Sequence, residues 1–130
     1  MDTTRTPKAP KPSRKRGRKN VQRRARRVDV RVAVRAVLRP LDAEESEVYG
    51  WVANLGAGGA AVRTAESLPP ETPLDLRLVW KDGPVFRAIF LKGRVVYATP
   101  DGMGLAFDAV SPEVHDVLKR LDRRHMDPAA

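Results

Sequence analysis

The chain has 130 residues and a formal net charge of +9, unevenly placed: residues 1–27 hold twelve Lys/Arg against one acid, and residues 28–130 hold thirteen against fifteen. A nearly neutral body behind a basic head argues against a globular surface built for long duplex contact. The absence of cysteine excludes disulfides, thiol chemistry and cysteine-based zinc sites, and His115 and His125 alone are a poor basis for a metal centre.

Residues 1–20 carry Pro7, Pro10 and Pro12 and then the basic run Arg14 to Lys19, with no apolar periodicity. Low hydrophobicity and like-charge repulsion predict a disordered basic tail over residues 1–21. Any contact with nucleic acid or another polyanion would pass through this tail, by phosphate charge alone. At its end RRARR supplies Arg23, Arg24, Arg26 and Arg27, directly before the alternation VDVRVAVRAVL. Period two puts Val28, Val30, Val32 and Val34 on one face, so a first strand is predicted over Val28–Leu38. Arginine's planar fork of donors suits phosphate, and its flat face stacks on aromatic rings. A pair fixed where an arm feeds a sheet is therefore a candidate clamp for a phosphorylated, base-bearing ligand.

Pro40 and the acidic run Asp42 to Glu47 mark a loop, and Val48–Leu55 (VYGWVANL) reads as a second strand. Gly56 to Gly59 (GAGG) breaks the chain, and Ala60–Thr64 can return antiparallel to complete a hairpin. Further strands are predicted at Leu74–Trp80, at Val85–Ala98 with a break or bulge at Gly93, and at Met103–Phe107. Trp51, Trp80 and Tyr97, as strand aromatics, are expected in the core. Ser111 is positioned to cap a helix that begins at Pro112, and Val114, Val117, Leu118 and Leu121 form one apolar stripe along it. Lys119, Arg120, Arg123 and Arg124 crowd its last turns, where the helix dipole favours cations.

The longest uncharged run, Val48 to Val62, is too short and too rich in glycine to span a membrane as a helix. No apolar segment follows the basic head, so no signal peptide is expected and a soluble cytoplasmic protein is the default. There is no Ser-His-Asp or Cys-His arrangement and no P-loop, and GAGG lacks the G-x-G-x-x-G pattern, so no enzyme activity and no cofactor are expected.

Taken together, the arginine segment, the glycine hairpin and the ending GMGLAFDAVSPE resemble the PilZ domain family of bacterial proteins over about residues 22–124. The first family motif, R-x-x-x-R, is matched by Arg23 and Arg27. The second, [D/N]-x-S-x-x-G, is met by Asn54 through Gly59, with Gly56 standing at the serine position. The resemblance implies a mainly β fold, a six-stranded antiparallel barrel with a C-terminal α-helix, over residues 22–124, leaving 125–130 as a short flexible end. It also implies a receptor for the second messenger cyclic di-GMP that acts through a protein partner. The ligand would lie between the arginine motif and the hairpin. Arg23 and Arg27, supported by Arg24 and Arg26, would grip phosphates and stack on guanine, Asn54 would offer its amide, and Gly59 would allow a close approach or a positive φ. Gly56 lacks the hydroxyl of the family's serine, which weakens the site. The alternative is a PilZ-fold adaptor that binds no nucleotide and works through protein contacts or its tail.

Overall fold

The computed structural model describes residues 31–43 and 45–129. Within them lie β1 (Val34–Pro40), β2 (Val48–Leu55), β3 (Gly59–Thr64), β4 (Pro73–Asp82), β5 (Val85–Thr99), β6 (Gly102–Phe107) and the helix α1 (Pro112–Arg124). The six strands close into a barrel in the order β1-β2-β3-β6-β5-β4, and every neighbouring pair is antiparallel. The predicted six-stranded barrel with a C-terminal helix is therefore present.

Alternation builds the core. In β4, Leu74, Leu76, Leu78 and Trp80 all point inward and are buried, while Asp75, Arg77 and Val79 between them are only half-covered. Val34, Ala36 and Leu38 of β1 face them, joined by Val52, Val62, Val95, Met103 and Leu105 from the other strands. Ser111 caps α1 as expected, its Oγ accepting the Val114 N–H at 3.2 Å. Leu118 and Leu121 are buried in the same core, and Val114 and Val117 pack at its margin.

Two predicted details differ. The first strand was expected from Val28 to Leu38. Val28 and Val30 lie outside the described residues, and Val32 belongs instead to an isolated parallel bridge with His125. The reason is its hydrogen bonding: Val32 gives its N–H to the Arg124 carbonyl at 2.9 Å and accepts the Met126 N–H at 2.8 Å. The irregularity in β5 also falls not at Gly93, which keeps regular register with Leu74, but between Val95 and Tyr97.

The segment after α1, marked by sequence as a loose end, makes several contacts with the barrel. His125 donates its Nε2–H to the Val52 carbonyl at 2.7 Å. Asp127 accepts from Arg63 Nε at 3.1 Å and Nη2 at 2.6 Å. The Arg63 hydrogen bond, followed by the Ala129 N–H, holds the Asp127 carboxyl below the ordinary carboxylate value. A carboxyl lowered in the folded state stabilises above its unfolded pKa of about 3.9, and that contribution is lost as pH falls through the lowered value. Asp127→Asn should therefore lower the thermal midpoint at pH 7. The difference from wild type should close only below the ordinary carboxylate range, as followed by circular dichroism across pH.

A candidate ligand-binding face on the barrel

The second-motif residues sit where β2 turns into β3. A bulge in β2 between Val52 and Asn54 turns the strand's phase, so that Val52 and Leu55 both point into the core while Trp51 and Asn54 both point out. Without the bulge, strict alternation would bury one member of each pair. Past Leu55 the turn is closed by the Gly56 N–H on the Gly59 carbonyl at 2.9 Å, and the Gly58 carbonyl accepts the Phe107 N–H at 2.9 Å. The hairpin is thus tied to β6 as well as to itself.

Cross-strand register then assembles a row that no local pattern contains. Asn54 is opposite Ala61, Ala61 opposite Gly104, and Gly104 opposite Tyr97, across β2, β3, β6 and β5. A second bulge, between Val95 and Tyr97, turns Tyr97 to the outside, where it is 50% exposed. Its ring lies over Gly104, and a Cβ at that position would collide with it. One row along, Gly59, Ala106 and Arg94 align, and Arg94 faces Asp108 at 3.7 Å.

The result is a shallow groove of about 410 Å³ whose lining includes Asn54, Gly56, Gly59, Ala61, Tyr97 and Gly104. Its open floor is made of Gly56, Gly59 and Ala61, with the Asn54 amide at one end and, at the other, the Tyr97 ring lying over Gly104. Neither the Asn54 amide nor the Tyr97 hydroxyl hydrogen-bonds to another described residue. Chemically, such a face suits a flat aromatic ligand: the floor admits a ring, Tyr97 offers stacking, and Asn54 offers a donor and an acceptor together.

The structure brings together Asn54, Gly56 and Gly59. Arg23, Arg24 and Arg27 lie outside the described residues. Gly59 serves close approach rather than a positive φ, since a Cβ there would overlap the Leu105 carbonyl oxygen while Gly83 is the described glycine with positive φ. Gly56 has room: a Cβ would meet nothing nearer than the Gly59 oxygen at 3.8 Å. Tyr97 was expected in the core and instead borders the groove. Trp51 also departs from that expectation, at 37% exposed with the Arg35 guanidinium 4.5 Å above its ring, while Trp80 is buried as expected.

The model of the PilZ domain family matches residues 22–122. The chain belongs to this family. The solved PilZ domain of CeSA, from a cellulose-synthesizing bacterium, is similar in fold, with a TM-score of 0.54 and 23% sequence identity. That match covers 68% of the present chain and 88% of the other. No match was found among the curated proteins. The PilZ match spans both the arginine motif and the hairpin that carries Asn54 and Gly59. It also takes in Tyr97 and Gly104, which neither short motif names.

Exposure separates the roles of these residues. Asn54→Ala should change stability by no more than about 0.5 kcal/mol, because the side chain is solvent-facing and unpartnered. Gly59→Ala should cost about 1–3 kcal/mol, because strand β6 must move to admit the methyl group. Urea denaturation of the two variants beside wild type reads the difference.

Proposed function

We propose that this PilZ domain is a receptor for cyclic di-GMP, with a guanine base laid on the groove between Asn54 and Tyr97. The observation that carries the reading is the row Asn54-Ala61-Gly104-Tyr97, in which an unpartnered amide and an exposed ring, itself laid over Gly104, stand on either side of Ala61. In this reading Asn54 addresses a guanine edge and Tyr97 packs on the base. The phosphates fall to Arg23 and Arg27 of the R-x-x-x-R motif, with Arg24 in support, through charge-assisted hydrogen bonds worth about 1.5–3 kcal/mol each. The bound messenger then acts on a protein partner. Among the described residues no helix is long and apolar enough to cross a membrane.

Gly56 limits affinity without blocking the site. The position has ordinary space around it and no positive φ, so a serine there is unstrained. Its hydroxyl would restore one hydrogen bond, about 0.5–1.5 kcal/mol, or up to roughly tenfold in affinity.

Isothermal calorimetry with cyclic di-GMP tests the assignment. Wild type should release or absorb heat with one saturable transition, Arg27→Ala and Asn54→Ala should weaken it, and Gly56→Ser should tighten it. Tyr97→Ala should cost about 1–3 kcal/mol of binding, the worth of a base–aromatic stack. A flat titration for both wild type and Gly56→Ser would overturn the receptor reading and leave the nucleotide-free adaptor. Tyr97→Ala binding as well as wild type would remove the groove from the site.

A further inference from the structure

Strand β5 is much longer than the strand that covers its second side. It keeps unbroken register with β4 from Val85 to Arg94, but pairs with β6 only from Gly93 onward. Among the described residues, positions 85–91 therefore have no strand on that second side. The direction of the backbone groups along this edge follows from the flanking bonds. Val95 gives its N–H to Thr72 and accepts from Glu71, both on the β4 side, whereas the Lys92 carbonyl accepts the Asp108 N–H on the other. Alternation then aims the N–H and C=O of Phe86, Ala88 and Phe90 at the open side.

The same three residues share the exterior face, where Phe86 is 73% and Phe90 70% exposed. Edge strands are ordinarily blunted by lysine, proline or a bulge. Here the register with β4 is regular throughout, and the outward side chains are Phe, Ala and Phe. A groove of about 560 Å³ lies beside the strand, with Val117, Arg120 and Leu121 of α1 on its other side.

We propose that this edge is a dimerisation strand, on which two copies of the chain pair β5 against β5, antiparallel, about a two-fold axis at Ala88. Residues 86–90 read Phe-Arg-Ala-Ile-Phe, so the pattern F-x-A-x-F is the same in both directions. The midpoint of the open edge 85–91 is also Ala88. The register centred there uses the whole edge, sets Ala88 against the partner's Ala88, and sets Phe86 against the partner's Phe90 and the reverse. All three of these positions present their backbone groups outward, so each opposed pair exchanges two hydrogen bonds. A shift of two residues one way drives the partner strand into β6 at Gly93. A shift the other way leaves Phe90 facing the partner's turn. A closed two-fold contact needs a self-complementary surface, and this edge is one in sequence, hydrogen bonding and length at once. The inference stands apart from the ligand reading, because the Asn54–Tyr97 face uses none of residues 85–91.

Light scattering on the full chain should give the mass of two chains in the micromolar range, and the double variant Phe86→Asp, Phe90→Asp should halve it while the circular dichroism spectrum is kept. Cross-linking tests the register itself, since the chain has no cysteine of its own. Opposed Cα atoms in a hydrogen-bonded antiparallel pair lie about 5.5 Å apart, within the range a disulfide spans. Oxidised Ala88→Cys should therefore run as a covalent dimer. Phe86→Cys should remain single, because its counterpart on the partner lies four residues along the strand, roughly 14 Å away. A wild-type mass of one chain, a dimer that survives the double aspartate variant, or equal cross-linking of the two cysteine variants would overturn the proposal.

Discussion

Closure of the sheet between β1 and β4 is the constraint on which the other features rest. Seven residue pairs, Val34–Trp80 through Pro40–Leu74, join strands that are not consecutive in the chain. Once they pair, Val34, Ala36 and Leu38 of β1 and Leu74, Leu76, Leu78 and Trp80 of β4 are buried together, while Arg35 and Arg39 are left on the exterior. A slip of one position would turn Leu74, Leu76, Leu78 and Trp80 out to water and charged neighbours in, so the hydrophobic effect holds the register firmly. The exterior of the barrel then becomes a surface of defined rows. The candidate groove and the open edge of β5 are both consequences of where those rows run.

Within this frame, two bulges do what regular alternation could not. The β2 bulge lets Asn54 leave the barrel while Leu55 stays in the core, and the β5 bulge does the same for Tyr97 beside Val95. Each adds one residue to a strand and re-aims a side chain at the same exterior row. Small residues between them complete the floor, since β3 and β6 approach too closely at Gly59 for any Cβ. Site and stability are therefore entangled at Gly59 and separable at Asn54, Gly56 and Tyr97.

Barrel closure also explains the overhang of β5. Six residues of β6 cannot cover fifteen of β5, and after Phe107 the chain leaves the sheet to start α1 at Pro112. The helix buries Leu118 and Leu121, and the chain beyond it is joined to the barrel by the Val32–His125 bridge and the Arg63–Asp127 pair. The described chain thus begins and ends in mutual contact. That contact, rather than more of β1, is what Val32 serves.

The sequence by itself determined the elements and most of their core residues, but not the outward placing of Trp51 and Tyr97. Period-two patterning placed β2 residue for residue and β3 to β6 within two positions, though not the start of β1, and Ser111-Pro112 with its apolar stripe placed α1, because strand and helix alternation are local properties of side-chain polarity. The two short motifs, taken in order, pointed to the family. Only the tertiary structure decided how strands beyond the β2–β3 hairpin pair, and hence that Asn54 shares a row with Tyr97. Register between β3 and β6, or β1 and β4, depends on contacts distant in the chain, and no local pattern encodes them. Bulges escaped for the same reason: Gly93 looked like the break in β5, yet the extra residue is Val96, fixed by what β6 presents opposite. The F-x-A-x-F pattern of residues 86–90 is plain in the chain, but only the short β6 left it on an open edge.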